Sequence, residues 1–534
     1  MIAVAAIAAH GLALRADFYM DDFLHIIGLP QVEESGVWAE TWVRLIPNLL
    51  FHLTYQAFGY NHAAFHALNL LAHIGLCLVA FPALRDFCRL ALGEKRAATA
   101  GRAAFWGALL LAVHPLCSEP VNYARCLMIL LASLFSLLAT WSALRAVRDR
   151  KIGWGIACLA SIVLATLSKE PGLLHSVMGA AIAALCALPR GSFRRALTAV
   201  RARPKTLLGT VLVIAAAVPF MLHWIAFWIM RALGSLSHPL LGDHIMTQSR
   251  IFWAYIGKVI SPTHLCVDHF VPWSFGWSDP WAVAGLAGIV ALLVFCAGLF
   301  ARGNRGVAAV LLLALAPLLI RFFYVIDEFM VEYRVYPAMP WFAALLGFAV
   351  AYLMERRERV VGILATGFAI CLILLSAVRS SVWSNSVTLA ADAVRQYPEN
   401  NRARSFLLRD LILDEKHTEA VAMYRESVAA MARVREFNIE KPHGRAYSKV
   451  RVIGDYLVIE QQITKAIARF ESYERALTHI ERVMEFMVKN HPDFIADRHN
   501  QHPQHPWMVF SKTRNALLES INQTRRSEVS DPDQ

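Results

Sequence analysis

Two adjacent carboxylates, Asp21 and Asp22, follow the first apolar run of the chain and are its first candidates for chemistry. Charged side chains beside a lipid bilayer are costly and are usually functional. A carboxylate at this position could act as a general base that deprotonates an acceptor hydroxyl. Arg125, Lys169 and Arg334 could hold a phosphate leaving group, the arginines bidentately and the lysine as a point charge. Together these groups predict inverting glycosyl transfer from a lipid-phosphate sugar.

Further polar side chains interrupt apolar sequence, and we predict that they bind substrate. They are Arg44, His114, Glu119, Glu170, His264, Glu332 and Tyr336. Within this set, His114, Glu119 and Glu332 could position the sugar or the base. Ion-coupled transporters also carry Asp, Arg and His in their spans, so the pattern by itself fits a transporter as well.

Several of these residues also have a purely structural interpretation. Lys169 and Glu170 could form an ion pair at a helix end, which would contribute little to stability. His264 and Asp268 could share a hydrogen bond within a loop. The histidines at 62, 66 and 73 lie on one helical face, which favours a core or interfacial stripe over a metal site. The nine cysteines have no CxxC or metal spacing, and we infer neither a disulfide framework nor a zinc site.

The composition predicts a polytopic α-helical membrane protein. Of the 534 residues, 57% are hydrophobic and only 17% are charged, and the mean hydropathy is +0.45. Apolar usage in soluble domains is about half or less. The net charge of +12 comes from basic residues in short loops between apolar runs, which indicates membrane topology and excludes a nucleic-acid partner.

We count eleven apolar runs as candidate spans, several of them 17 or more residues long. They cover about 1–14, 62–84, 103–116, 127–144, 152–168, 171–189, 206–230, 280–300, 306–325, 337–354 and 359–378. The first run has no basic n-region and no clear cleavage site, which favours a true helix over a signal peptide. The stretch 251–262 contains Lys258 and ends in Ser-Pro, and we interpret it as re-entrant or interfacial.

The basic loops predict the orientation of these spans. The loops are Arg85–Arg102, Arg145–Lys151, Arg190–Lys205, Arg302–Arg305 and Glu355–Arg359. Eleven spans with the N-terminus inside place every one of them in the cytoplasm. All the candidate site residues then fall on the outer face. The long first outer loop, 15–61, also carries Trp38, Trp42 and Tyr55, which suit the membrane interface.

Four ordered motifs resemble the transmembrane-and-TPR-repeat O-mannosyltransferases and their bacterial relatives. The stretch from His114 to Arg125 is similar to their HPxxxExV…R signature, Ser168–Gly172 to their KExG step, Glu332–Pro337 to their ExRxYxP segment, and Phe58–His73 to their second helix. The chain departs from the family where three residues, instead of five, separate Val121 from Arg125. The resemblance covers about 1–380 and implies a class C membrane glycosyltransferase, with Asp21–Asp22 at the position of its first-loop catalytic acid.

After Val378 the sequence becomes polar and charged through Gln534, which predicts a soluble helical domain over 380–534 after a membrane domain over 1–379. Ala420 and Tyr424 have the spacing of the second helix of a TPR repeat, and Leu407 and Leu411 fall at core positions of the first. A weaker unit over 457–492 carries Ala476 and Ile480. The alternative is a generic helical tail.

The overall prediction is an all-α enzyme that transfers a sugar from a polyprenyl-phosphate donor to a protein or glycan hydroxyl. No cofactor is firmly implied, metal use stays open, and the TPR-like tail could bind a protein partner. A glycan ligase or oligosaccharyltransferase, a flippase or transporter, and a TPR scaffold with an inactive membrane domain are the alternatives. Inverted repeats would favour a transporter, and the sequence shows none. Short loops favour a bacterial inner membrane, with site and tail in the periplasm, over the endoplasmic reticulum.

Overall fold

The computed structural model describes residues 1–36, 44–188, 230, 233–234, 241–323, 329–398, 400–416, 418–423, 425–426, 446–490, 495 and 506–530. Trp38, Trp42, Tyr424 and nearly all of the predicted span 206–230 lie outside these residues. All regular secondary structure in the described part is helical, which agrees with the predicted all-α class. The described chain divides into two compact units, Met1–Leu265 with Pro272–Asn385, and Cys266–Val271 with Ser386–Gln534.

The first unit contains every candidate site residue. Its α-helices are Ile2–His10, Asp22–His25, Pro30–Glu33, Leu45–Phe58, His62–Leu92, Ala97–Val113, Ser118–Asn122, Leu127–Asp149, Ile152–Ser168, Pro171–Ala187, Leu241–Ile260, Pro280–Ala301, Arg305–Leu319, Met339–Met354 and Glu358–Val382. Short 3-10 turns at Pro115–Cys117, Ala124–Cys126 and Glu332–Ala338 lie between them.

Six of the described helical stretches are long and apolar enough to cross a membrane, which fits a multi-pass membrane protein. They are His62–Leu92, Ala124–Asp149, Pro280–Ala301, Arg305–Phe323, Glu332–Met354 and Glu358–Val382. A seventh candidate is the pair Glu94–Val113 and Pro115–Asn122, bent by 52°. The bend has a local cause, because Pro115 disfavours helix at His114 and cannot donate a backbone hydrogen bond.

Three shorter apolar helices, Ile2–Arg15, Ile152–Ser168 and Pro171–Ala187, coincide with the remaining predicted spans in the described chain. At about 1.5 Å per residue, 17 residues cover about 25 Å, less than a hydrocarbon core of about 30 Å. The count of eleven spans and their orientation therefore stay predictions. The stretch predicted to be re-entrant or interfacial belongs to the helix Leu241–Ile260, which is not among the candidate spans.

Close helix crossings hold the first unit together. At the contact between Ala97–Val113 and Met339–Met354, a methyl group added to Gly347 would lie 2.1 Å from the carbonyl oxygen of Ala103. On Gly107 it would lie 2.9 Å from that of Ala343. Small residues four apart on both helices thus allow the backbones to touch, the usual way in which membrane helices associate without a hydrophobic driving force.

The second unit is also helical. Its α-helices include Ser386–Gln396, Asn401–Leu413, Ala446–Phe470, Tyr473–Asn490 and Pro506–Ser530. The predicted core residues Leu407, Leu411 and Ala420 are buried, as are Ala476 and Ile480. Asp268 belongs to this unit and forms an ion pair with Arg402 at 2.6 Å. Amphipathic burial of this kind fits any helical domain, so the TPR assignment stays a prediction.

Candidate active site

The Asp21–Asp22 turn is attached to the segment Tyr123–Arg125, which is about a hundred residues later in the sequence. The carboxylate of Asp22 is fully buried and accepts hydrogen bonds from the backbone N–H of Tyr19 at 3.0 Å and of Arg125 at 2.8 Å. The backbone N–H of Asp21 donates to the Tyr123 hydroxyl at 2.9 Å. Three hydrogen bonds thus define the backbone of the turn without using the carboxylate of Asp21.

The environment of Asp22 disfavours its charge. Burial raises the pKa of Asp22 from 3.8 to about 7, and the nearby charge of Asp17 adds to the rise. The backbone N–H groups of Tyr19, Arg125 and Ala124 act in the opposite direction, because they stabilise the carboxylate. Asp22 therefore changes its charge near neutral pH.

Asp21 has a different environment, because its carboxylate forms a direct ion pair with the guanidinium of Arg125. The two side chains are 34% and 20% exposed, respectively, so a ligand can reach both. Arg125 thus contacts both acids, Asp22 through its backbone N–H and Asp21 through its side chain. The structure brings these three predicted site residues together.

Lys169 and Glu170 lie in the break between Ile152–Ser168 and Pro171–Ala187, where the proline begins the second helix. Glu170 pairs with Arg44 at 3.0 Å. The ammonium of Lys169 lies 4.8 Å from the centre of the Tyr333 ring. The pKa of Lys169 is lowered from 10.5 to about 7, mainly by burial and also by the charges of Arg125 and Arg44, against the opposing effects of Cys126 and Glu170.

Glu119 and Glu332 form a second, deeply buried acidic group, each only 1% exposed. The carboxylate of Glu119 accepts a hydrogen bond from the backbone N–H of Tyr333 at 2.8 Å. Glu332 lies 3.8 Å from the ammonium of Lys258. The guanidinium of Arg334 lies 5.9 Å from the Tyr333 ring, so Tyr333 connects Glu119 with two cations.

The described contacts of the other three candidates lie elsewhere. The ring of His114 accepts from the Leu116 N–H at 3.2 Å, which assigns its proton to Nε2, and this atom faces the Val259 carbonyl at 3.0 Å. Tyr336 is fully buried, and its hydroxyl lies 2.8 Å from Nδ1 of His73. His264 is exposed, and its carbonyl accepts from Lys258 at 2.7 Å. Substrate binding by these three stays a prediction.

Three aromatic residues that the sequence analysis did not select complete the site. Trp383 is 1% exposed and its ring centroid lies 6.2 Å from that of Tyr19 and 5.7 Å from that of Tyr123. The other two are Tyr123, whose hydroxyl accepts from the Asp21 N–H at 2.9 Å, and Tyr333, whose ring centre lies 4.8 Å from the ammonium of Lys169. In the sequence, Tyr333 is next to Arg334 and Tyr123 is two residues before Arg125. An aromatic residue close to a candidate cation is a pattern from which both tyrosines could have been predicted. Trp383 offers no such signal, because only the fold brings the end of Glu358–Val382 to this position.

No group of three or more His, Cys, Asp or Glu residues in the described ranges has a geometry that could hold a metal ion. His66 and His73 are buried within the helix His62–Leu92, whereas His62 is exposed.

Comparison with known proteins gives little guidance. No protein-family model and no curated protein matches the chain. Among solved structures, the chain is similar to ArnT from Cupriavidus metallidurans, which was crystallised bound to undecaprenyl phosphate. The two are 16% identical over 91% of this chain and 79% of that chain, with a TM-score of 0.36. A likeness at this level supports no conclusion about fold or activity.

Proposed function

We propose that the protein is an inverting glycosyltransferase that moves a sugar from a polyprenyl-phosphate donor to a hydroxyl acceptor. The observation that supports this proposal is the attachment of the Asp21–Asp22 turn to Arg125 in a unit of apolar helices, with Lys169 near the same guanidinium. A proton acceptor and phosphate-binding cations therefore share one partly exposed region. The resemblance of the ordered motifs to class C glycosyltransferases adds to this support.

Asp21 is the base in this proposal. Its carboxylate is reachable, whereas both oxygens of Asp22 are buried and accept backbone hydrogen bonds. Asp21 takes the proton of the acceptor hydroxyl as that oxygen bonds to the anomeric carbon. The bond between the anomeric carbon and the phosphate oxygen breaks, its electron pair leaves with the lipid phosphate, and the configuration at carbon inverts.

Arg125 and Lys169 hold the departing phosphate in this mechanism. Arg125 is suited to two parallel hydrogen bonds with phosphate oxygens, and Lys169 contributes a point charge. Charge that develops on the phosphate is stabilised most strongly where water is scarce, and Lys169 is partly buried against Tyr333. Asp22 holds the turn, and Glu119 with Arg334 orders the segment that carries Tyr333.

The same proposal places the reaction on the outer face of a bacterial inner membrane, on the basis of the basic-loop pattern. The second unit is then a helical domain that presents a protein or glycan acceptor.

The test is turnover of a synthetic polyprenyl-phosphate sugar by the purified full-length protein in lipid nanodiscs. We expect Arg125→Ala to lose about 3–4 kcal/mol of transition-state stabilisation with any acceptor, by analogy with a lost oxyanion donor. Arg125→Lys should recover only part of it, because an ammonium lacks the guanidinium fork. Arg102→Gln is the matched control, since Arg102 pairs with Glu358 at 3.2 Å instead of with the acid turn. Normal donor use by Arg125→Ala would refute the phosphate-binding role.

A further inference from the structure

The ion pair between Asp21 and Arg125 joins the proposed base to the proposed phosphate ligand. In the structure the base is therefore engaged by the same guanidinium that the donor needs. We propose that the donor's phosphate group takes Arg125 from Asp21 and thereby releases the carboxylate to act as the base. This inference rests on the proposed function, and it adds a fixed order in which donor binding precedes activation of the acceptor.

The turn can lose this ion pair without losing its position. Its backbone is held by the two hydrogen bonds to the Asp22 carboxylate and by the hydrogen bond from Asp21 to Tyr123. Tyr123 and Trp383 are buried, with rings 5.7 Å apart, and support the same segment. The side chain of Asp21 is thus free to turn toward a substrate while its Cα stays in place.

Arg125 can likewise change partner without moving its backbone. Its N–H stays bound to Asp22 at 2.8 Å, whereas its guanidinium ends in a partly exposed ion pair. Exposed ion pairs are weak because water solvates both charges. A phosphate offers a guanidinium two parallel charge-assisted hydrogen bonds and competes well for it.

The surrounding charges favour the arrival of another anion. Asp21 neutralises Arg125 and Glu170 neutralises Arg44, whereas the described contact of Lys169 is the Tyr333 ring. The positive charges of Arg125 and Arg44 help to lower the pKa of Lys169 to about 7, after the larger effect of burial. A phosphate beside Arg125 would reverse this repulsion, so both cations gain from its binding.

Carboxyl labelling measures the release directly and needs no sugar transfer. Carbodiimides react with protonated carboxyl groups, and removal of a neighbouring cation favours that form. The full-length protein in nanodiscs is treated with a hydrophobic carbodiimide, and fragment masses separate Asp21 from Asp22. The three additions are farnesyl phosphate, farnesol and inorganic phosphate, and native mass spectrometry records binding of each.

We expect farnesyl phosphate to raise the labelling of Asp21 about fivefold or more and farnesol to leave it unchanged. A rise with inorganic phosphate as well supports release by the phosphate group itself, and a rise with farnesyl phosphate alone supports release by a lipid-borne phosphate. Arg125→Gln should label strongly without any addition, because it removes the cation beside Asp21, and Arg125→Met replaces it if that variant does not fold. Arg102→Gln should behave like the wild type.

Two negative results have different meanings. If the protein binds farnesyl phosphate and transfers sugar, but the labelling of Asp21 stays constant or rises equally with farnesol, the release is refuted and the proposed function stands. If the protein neither binds farnesyl phosphate nor uses a polyprenyl-phosphate sugar, the proposed function fails, and the release fails with it.

Discussion

Two buried aspartates of the first unit, Asp22 and Asp86, satisfy their carboxylates in opposite ways. Asp22 is fully buried and accepts from the backbone N–H groups of Tyr19 and Arg125. Asp86 is 1% exposed and accepts from side chains, at 2.8 Å from Trp141 and 3.2 Å from Arg145. Both hold distant segments together, but at Asp22 the residue whose backbone N–H binds the buried acid also pairs its guanidinium with the neighbouring acid, Asp21.

The difference follows from where the cations lie. At Asp86, Arg145 and Arg148 are one helical turn from each other on Leu127–Asp149 and direct their charge at the aspartate, 3.2 and 3.8 Å away. At Asp22 the guanidinium of Arg125 faces Asp21 instead, so burial dominates and raises the pKa of Asp22 to about 7. Asp86 thus pairs directly with two arginines, whereas Asp22 leaves the guanidinium of Arg125 to Asp21, the proposed base.

The largest expected effect is on transfer by Asp21→Asn. This change keeps the size of the side chain but removes its ability to accept a proton, so kcat should fall on the order of a hundredfold or more. The measurement is turnover of a polyprenyl-phosphate sugar. Asp86→Asn is the paired control, and the folded fraction of this variant should retain sugar transfer. Equal losses of transfer in both variants would contradict the assignment of Asp21, and not Asp86, as the base.

A smaller effect is expected on the pH dependence of stability through Asp22. Its pKa is raised from 3.8 to about 7 on folding, so the unfolded chain releases this proton first as the pH rises. The contribution of Asp22 to the free energy of unfolding is therefore fully present below pH 3.8 and is lost as the pH rises to about 7. The loss is on the order of a few kcal/mol. Asp22→Asn should flatten the pH dependence of the melting temperature, measured by thermal unfolding from pH 4 to 8. An unchanged slope would assign the titration to another group.

Asp86→Ala should affect stability more than chemistry. It leaves the indole N–H of Trp141 without its 2.8 Å acceptor and removes one partner from each of two arginines, which keep Asp149 and Glu94. An unsatisfied buried donor costs about 1–3 kcal/mol, while the arginines are partly exposed and can be solvated. The free energy of unfolding should fall by about that amount, with KM for the donor unchanged. A specific rise in donor KM would place Asp86 in the binding machinery.

The smallest effect is on donor affinity as a function of pH. Lys169 has its pKa lowered to about 7, so it loses its charge above that value and binds a phosphate less well. The groups that act on it are Arg125, Arg44, Cys126 and Glu170. We expect the donor KM to rise about tenfold between pH 6.5 and 8.5, and Lys169→Arg to reduce that rise, because a guanidinium stays protonated. A rise of the same size in Lys169→Arg would refute the assignment of the pH dependence to Lys169.

Hydropathy was sufficient to locate the long apolar helices of the described chain. The run predicted at 152–168 is the helix Ile152–Ser168, and the run at 280–300 is Pro280–Ala301. These boundaries were predictable because the proline at position 280 and the charged dipeptide at 169–170 interrupt the apolar pattern locally. The run predicted at 62–84 continues to Leu92, because packing against neighbouring helices buries Asp86 and Cys88 within it.

The same limit applies to the candidate site: its residue types were predictable from the sequence, but its contacts were not. The residue types were evident from the sequence: adjacent acids in the first loop, and cations between the apolar runs. Charged side chains beside a bilayer are costly, so those that are present point to a function. The sequence could not indicate that Arg125 pairs with Asp21, that Lys169 lies over Tyr333, or that Trp383 supports the turn. These contacts join residues far apart along the chain, and they depend on how the helices pack.

The sequence by itself determined that the chain contains a series of apolar helices and that the candidate acids and cations lie between the apolar runs, because hydropathy and charge are local properties of a chain. Only the tertiary structure decided which acid is buried and which is reachable. The two are neighbours in sequence, and their difference arises because the backbone N–H of Arg125 reaches Asp22 while its guanidinium reaches Asp21. Burial and charge pairing depend on the three-dimensional surroundings of a side chain, and these exist only once the helices have packed.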